Sequence, residues 1–287
     1  PENTSPDGDD TDYPLVGMYH GWGGTKIIPS ASTSSGQRAM SWLSKGYAVF
    51  SMTDRGWPGS CGFPSSTEKA PPCGKGYIHL MHNAFEVRDA QYMMGLLNDE
   101  DVIDGQRIAA TGGSYGGGIS AQLGMLKDRV QYADGSLHAW QSPLGDDMEI
   151  AAAVPDYTWS SLPSSLVPNG STLDYAAYSP YLGPNGDRRP GVTKSYWTGQ
   201  LNLAGTVAGY YAPSTGTGYP DPQADMRGWF EAINATSYFD SNPYFKDMVD
   251  ELEGNHSSYG VDDSEAPAPM LLSNGWNDDL FPVNEAV

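Results

Sequence analysis

Ser114 lies at the centre of Gly112-Gly113-Ser114-Tyr115-Gly116, a Gly-x-Ser-x-Gly pentapeptide. A short apolar run over Gln106–Thr111 precedes it, and a helix-compatible run with Ile119, Ala121, Leu123, Met125 and Leu126 follows. Strand, sharp turn and helix form the context in which a serine hydroxyl is lifted clear of a sheet and exposed as a nucleophile. Gly112 and Gly116 lack Cβ atoms, so strand and helix can approach closely at the turn. The amide of Tyr115, at the start of the helix, is expected to point at a developing oxyanion. Taken alone, the pentapeptide also fits a glycine-rich turn with a bystander serine; the flanking strand and helix favour the nucleophile.

Two further stretches supply the parts such a serine needs. His20-Gly-Trp-Gly-Gly follows an apolar run over Tyr13–Tyr19. A His-Gly-x-Gly turn after an early strand provides a second oxyanion donor, here the amide of Trp22. His20 is expected to brace this turn rather than to act as a base. Near the end of the chain, Asn274-Gly-Trp-Asn-Asp-Asp-Leu-Phe-Pro follows an apolar run over Pro269–Ser273. An acid on a loop after a late strand is placed to orient a catalytic imidazole. Asp278 is the expected acid, with Asp279 as the alternative. Ser114 and Asp278 both follow strands of one expected parallel sheet, whose carboxyl ends share an edge.

The elements that position these residues are legible in order. Tyr13–Tyr19 and Tyr47–Met52 read as buried strands, with a helix over Ser35–Lys45 between them. His82–Asn98 reads as a helix with Phe85, Tyr92, Met93, Leu96 and Leu97 on its apolar face. Glu149–Val154 reads as a further strand. The alternation predicts an α/β fold with a parallel sheet and helices on both faces. From Asp156 the chain turns rich in Tyr, Trp, Ser, Gly and Pro, with short helices expected at Leu201–Tyr211 and Asp225–Ile233. The expected organisation is a polar lead-in (1–12), a core (13–155), a mainly helical cap inserted over the Ser114 edge (156–266) and a return to the core (267–287). Trp159, Tyr175, Tyr178, Trp197 and Trp229 either line a substrate pocket in the cap or bury it.

Composition bounds the function. Asp+Glu number 35 against 15 Lys+Arg, a formal net charge of −20 over 287 residues. Such a surface repels nucleic acid and anionic membranes. No stretch approaches the roughly 20 apolar residues of a membrane span. Only two cysteines occur, Cys61 and Cys73, at the two ends of a Pro/Ser-rich loop. With no His/Cys cluster at metal-site spacing around them, a disulfide is the expected pairing, implying an oxidising compartment and a secreted or extracellular protein. The alternative is two reduced thiols. Asn169-Gly-Ser and Asn234-Ala-Thr have the glycosylation acceptor pattern. No metal or cofactor is implied.

Together, His20-Gly-Trp-Gly-Gly, Asp54-Arg-Gly-Trp-Pro-Gly-Ser-Cys-Gly, Gly112-Gly-Ser-Tyr-Gly-Gly and Gly275-Trp-Asn-Asp-Asp-Leu-Phe-Pro resemble the Xaa-Pro dipeptidyl-peptidase and cocaine-esterase-like serine hydrolases. Ala139-Trp-Gln-Ser-Pro-Leu-Gly and Ala151-Ala-Ala-Val-Pro-Asp-Tyr-Thr-Trp-Ser are similar to that family's segments around the sixth strand. The resemblance runs from about Tyr13 to the end and is weakest across the cap. It implies an α/β-hydrolase fold, no cofactor, and cleavage of a small ester or peptide through an acyl-enzyme on Ser114. Peptide and ester stay open: an aminopeptidase needs a carboxylate for the substrate ammonium, and Asp146, Asp147 and Glu149 are the candidates. The family's histidine follows the acid, whereas His20, His79, His82, His138 and His256 all precede Asp278. The expectation is a catalytic histidine outside this segment; the alternatives are one supplied by another chain, or a non-catalytic binding module on the same fold.

Overall fold

The computed structural model describes residues 12–61, 73–167, 193–213, 221–235 and 243–286. Tyr175, Tyr178 and the Asn169 sequon lie outside them, as do the lead-in before Asp12 and the interior of the Cys61–Cys73 loop. The chain divides into two compact units. One comprises 12–54, 81–158 and 261–273; the other comprises 55–80, 159–260 and 274–286.

The first unit is built on a four-stranded sheet. In chain order its elements are β1 (Tyr13–Tyr19), α1 (Ser34–Leu43), β2 (Ala48–Phe50), α2 (Arg88–Asp99), β3 (Ile103–Gly113), α3 (Tyr115–Leu126), β4 (Arg129–Gln131), β5 (Leu137–Ala139) and β6 (Ile150–Asp156). The sheet order is β2-β1-β3-β6, all parallel, with β4 and β5 forming a separate antiparallel hairpin. Residues 269–273 run beside β6 through parallel bridges at Ala153–Met270 and Asp156–Ser273. Continuous apolar runs mark strands covered on both faces: Leu15, Val16, Met18, Ile108, Ala110 and Ile150 are all buried. Helix α3 is buried almost along its whole length (Ile119, Leu123 and Leu126 fully so).

Helix α2 departs from the expected phase. Its buried face is Ala90, Gln91, Met94 and Gly95, while Tyr92 and Met93 are exposed. A five-residue π turn over Asn83–Val87 leads into it, and the small Ala90 and Gly95 let its other face pack closely, a Cβ at Gly95 lying 3.0 Å from Pro143 Cδ. Gln91 is admitted to the interior because its Nε2 donates to the Arg129 carbonyl at 2.8 Å.

In the second unit, the described part of the expected insertion is helical: α4 (Leu162–Leu166), α5 (Ser195–Ala208), α6 (Met226–Asn234) and α7 (Pro243–Asn255). Phe245, Met248, Val249 and Leu252 form the buried stripe of α7. Trp159 and Trp229 are buried within this unit: Trp159 packs 4.9 Å from Phe281 and Trp229 packs edge-on to His256. Trp197 is half-buried. Cys61 and Cys73 form a disulfide with Cα atoms 5.4 Å apart. No helix among the described residues is long and apolar enough to cross a membrane.

Candidate active site

Ser114 is the single residue between the last position of β3 and the first of α3. Its backbone sits at φ 58° and ψ −121°. For a residue with a Cβ this is a strained conformation costing on the order of 1–3 kcal/mol, which the surrounding structure must hold. Three contacts hold it. The Ser114 amide donates to the Asp156 carbonyl at 3.1 Å, extending the β3–β6 ladder through the turn. The Gly118 amide donates to the Ser114 carbonyl at 2.9 Å, closing the first turn of α3. The two motif glycines allow the close packing: a Cβ at Gly112 would lie 2.6 Å from the Gly116 carbonyl oxygen, and one at Gly116 would lie 2.6 Å from the Tyr19 carbonyl carbon. The fold is that of an α/β hydrolase.

The His20–Trp22 turn lies at the end of β1, the neighbour of β3. Gly24 closes it by donating to the Gly21 carbonyl at 2.9 Å. The Trp22 ring packs edge-on against Tyr115 at 5.3 Å, and the Tyr115 hydroxyl accepts from the Met81 amide at 2.9 Å. Buried His20 Nε2 accepts the Asp54 amide at 3.0 Å, so its proton resides on Nδ1, 2.8 Å from the Gly21 carbonyl. Burial holds the His20 pKa down, partly offset by that carbonyl. His20 is therefore a neutral brace of the turn.

Asp54 completes the brace in an unexpected way. Its Oδ2 is 3.3 Å from His20 Nε2, yet that nitrogen is already accepting, so the contact is no ion pair. Asp54 is fully buried, and neither carboxyl oxygen has a hydrogen-bond partner among the described residues. Burial, reinforced by Glu86 and Asp89, raises its pKa well above the usual carboxylate range. Desolvation of an unpaired buried carboxyl favours its neutral form.

Each remaining histidine is engaged locally. His79 faces the Tyr77 carbonyl with Nδ1 at 3.1 Å and Asp221 Oδ2 with Nε2 at 3.5 Å. That contact and the Tyr77 hydroxyl hold the Asp221 carboxyl far below its usual range. His256 faces the Leu80 carbonyl at 2.9 Å and Glu251 Oε1 at 3.2 Å. In both, the nitrogen opposite the carboxylate already faces a main-chain carbonyl. His82 Nδ1 accepts the Ala84 amide at 2.9 Å, and exposed His138 lies 3.2 Å from the Ser136 hydroxyl.

Asp278 is half-buried in the loop after Ser273. Its Oδ1 accepts the amides of Leu280 and Phe281, both at 2.9 Å. Asn274 Nδ2 donates across the loop to the Phe281 carbonyl at 3.1 Å. One carboxylate oxygen is thus pinned by backbone, the arrangement that fixes an acid's orientation. Asp279 is exposed.

The structure sets aside the three candidates for an ammonium-binding carboxylate. Asp146, Asp147 and Glu149 precede β6, at its amino end, whereas Ser114 follows the carboxyl end of β3. Asp146 accepts from Asn98, Asp147 from Gln141, and Glu149 pairs with Lys127.

The Acetyl xylan esterase (AXE1) family profile matches residues 2–136, just under half of the chain. No curated protein matches it. Among solved structures, a truncated form of a carbohydrate esterase from gut microbiota is 14% identical, covering 98% of this chain and 73% of its own, with a TM-score of 0.41. An acylaminoacyl peptidase in complex with Z-Gly-Gly-Phe-chloromethyl ketone is 16% identical over 96% of this chain, with a TM-score of 0.45. An acetyl ester-xyloside bifunctional hydrolase from Caldicellulosiruptor lactoaceticus is 13% identical over 96% of this chain and 66% of its own, with a TM-score of 0.43. The chain spans 29% of the peptidase's length.

Proposed function

We propose that this chain is the catalytic core of a secreted serine esterase that removes small acyl groups, acetyl foremost, from carbohydrate. The strained Ser114 turn between β3 and α3 is the observation that carries the reading. Ser114 is held at φ 58° between a strand and a helix whose flanking glycines let them pack too closely for a Cβ, the turn that lifts a nucleophile clear of a sheet. The profile match over 2–136 supports ester over peptide. So does the position of Asp146, Asp147 and Glu149, which keeps these three carboxylates away from Ser114.

In this reading Ser114 Oγ bonds to the ester carbonyl carbon while its proton passes to a histidine. The amides of Tyr115 and Trp22 hold the oxyanion; losing one such donor costs about 10²–10³ in rate. The bond from the acyl carbon to the sugar oxygen then breaks, the histidine gives its proton to that departing oxygen, and water releases the acid from the acyl-enzyme. Asp278 orients the histidine through the carboxylate oxygen that Leu280 and Phe281 leave open. The imidazole is one outside these 287 residues, since local partners occupy the five present. The Cys61–Cys73 disulfide supports the extracellular assignment.

The test is hydrolysis of acetylated xylan by the full-length protein and its Ser114→Ala variant. Acetate release that falls to background in the variant supports the reading. Release that survives the substitution, or hydrolysis of dipeptides but not of esters, overturns it.

A further inference from the structure

Two features beside the nucleophile are left unexplained by the triad and the oxyanion turn. Gly113, the residue before Ser114, has no positive φ and no need of glycine for its own backbone. Yet a Cβ there would collide with the hydroxyl and ring of Tyr157, whose Cε1 would lie 2.8 Å away. The tyrosine ring fills the space of the missing side chain. Tyr157 itself has φ 33°, a left-handed conformation that bulky aromatic residues very rarely adopt. Its amide donates to the Ser273 carbonyl at 2.6 Å, which holds the backbone there.

We infer that Tyr157 is a substrate-contacting specificity residue that receives the sugar of the leaving group; the inference rests on the esterase reading above. The register places it. Gly113 pairs with Asp156, and the Ser114 amide bonds to the Asp156 carbonyl, so Tyr157, the first residue after β6, lies beside the nucleophile. The sheet order puts β1 and its Trp22 turn on one side of β3 and β6 on the other. An acyl carbon on Ser114 whose oxygen points to the β1 side turns another substituent toward Tyr157. An acetyl methyl needs no platform; a sugar ring does. Tyr157 is 47% exposed, and its hydroxyl has no hydrogen-bond partner among the described residues. A flat apolar face with a hydroxyl at its rim suits a pyranose, which offers C–H faces and hydroxyls together. The strain fits a residue held for function rather than for packing.

The experiment uses the full-length protein with two acetate esters, ethyl acetate and xylose tetraacetate, and the variants Tyr157→Ala, Tyr157→Phe and Ser114→Ala. Tyr157→Ala is expected to raise KM for xylose tetraacetate on the order of tenfold. Its kcat should stay within about threefold, and both constants for ethyl acetate within about twofold. Tyr157→Phe keeps the platform and should recover most of the loss. A ratio of the two KM values that Tyr157→Ala leaves unchanged overturns the inference, as does an equal fall of kcat on both esters, the mark of a purely structural role. If Ser114→Ala still hydrolyses the esters, or the wild type hydrolyses neither, the esterase reading fails first and this inference with it.

Discussion

Replacing Gly116 by alanine tests whether close packing at the turn builds the oxyanion site. The added Cβ would meet main chain only: the Tyr19 carbonyl carbon at 2.6 Å, its oxygen closer still, and the His20 carbonyl oxygen at 2.8 Å. Ordinary carbon contacts begin at roughly 3.5 Å, so the start of α3 must retreat from β1 by about 1 Å. Overpacking of this kind costs about 1–3 kcal/mol. The same retreat parts the Tyr115 amide on α3 from the Trp22 amide after β1, and a 1 Å misplacement at a reacting centre costs about 10² in rate. The expected result is a kcat/KM for p-nitrophenyl acetate lower by about 10², with a urea midpoint shifted by a loss in that energy range. Gly199→Ala on α5 is the control: nothing lies within 4 Å of its added Cβ, so removing a helix glycine should stabilise by up to about 1 kcal/mol. If Gly116→Ala keeps both rate and midpoint, the packing account of the turn is wrong.

The buried brace gives a pH prediction. The folded Asp54 pKa lies above its unfolded value, so the stability it contributes is present at acid pH and lost as pH rises toward the folded pKa. The folded His20 pKa is lowered, so its contribution is lost as pH falls below about 6.5. Thermal midpoints of Asp54→Asn relative to wild type should therefore rise from pH 4.5 to pH 8.5; a constant difference would mean that Asp54 is ionised throughout. Glu285, 5% exposed, accepts from the Ser160 amide and hydroxyl and the Ser161 amide at 3.0–3.3 Å. Glu285→Ala orphans these donors and should lower unfolding free energy by about 1–3 kcal/mol in urea titration. The Cys61–Cys73 bridge spans 12 residues and should contribute on the order of 3 kcal/mol, read as the midpoint difference between native protein and the Cys61→Ser/Cys73→Ser variant.

The Ser114 turn was legible because its chemistry is local: an apolar run, two glycines and a helix start within a dozen residues. Strands β1, β3 and β6 were legible for the same reason, since parallel strands covered on both faces are unbroken apolar runs. Helix α2 was legible in extent but not in phase, because its buried face holds Ala90, Gln91 and Gly95 beside Met94 while the larger apolar Tyr92 and Met93 face outward. Helix α7 carries a readable i, i+3, i+4, i+7 stripe (Phe245, Met248, Val249, Leu252) within a segment whose Tyr, Trp, Ser, Gly and Pro content weakens the overall periodicity. Tyr157 escaped notice for a deeper reason. Its role comes from strand register: Gly113 and Tyr157 are far apart in sequence, and only the pairing of β3 with β6 brings them together. Gly113 was the available signal, a glycine inside the motif that the turn itself did not need.

The central claim is that Ser114 is the nucleophile, and peptide mapping after exposure of the full-length protein to a fluorophosphonate tests it most directly. One phosphonyl adduct on the Ser114 peptide, formed in step with loss of esterase activity and absent after Ser114→Ala, is the predicted result. Esterase activity that persists with Ser114 unmodified, or an adduct on another serine, would contradict it.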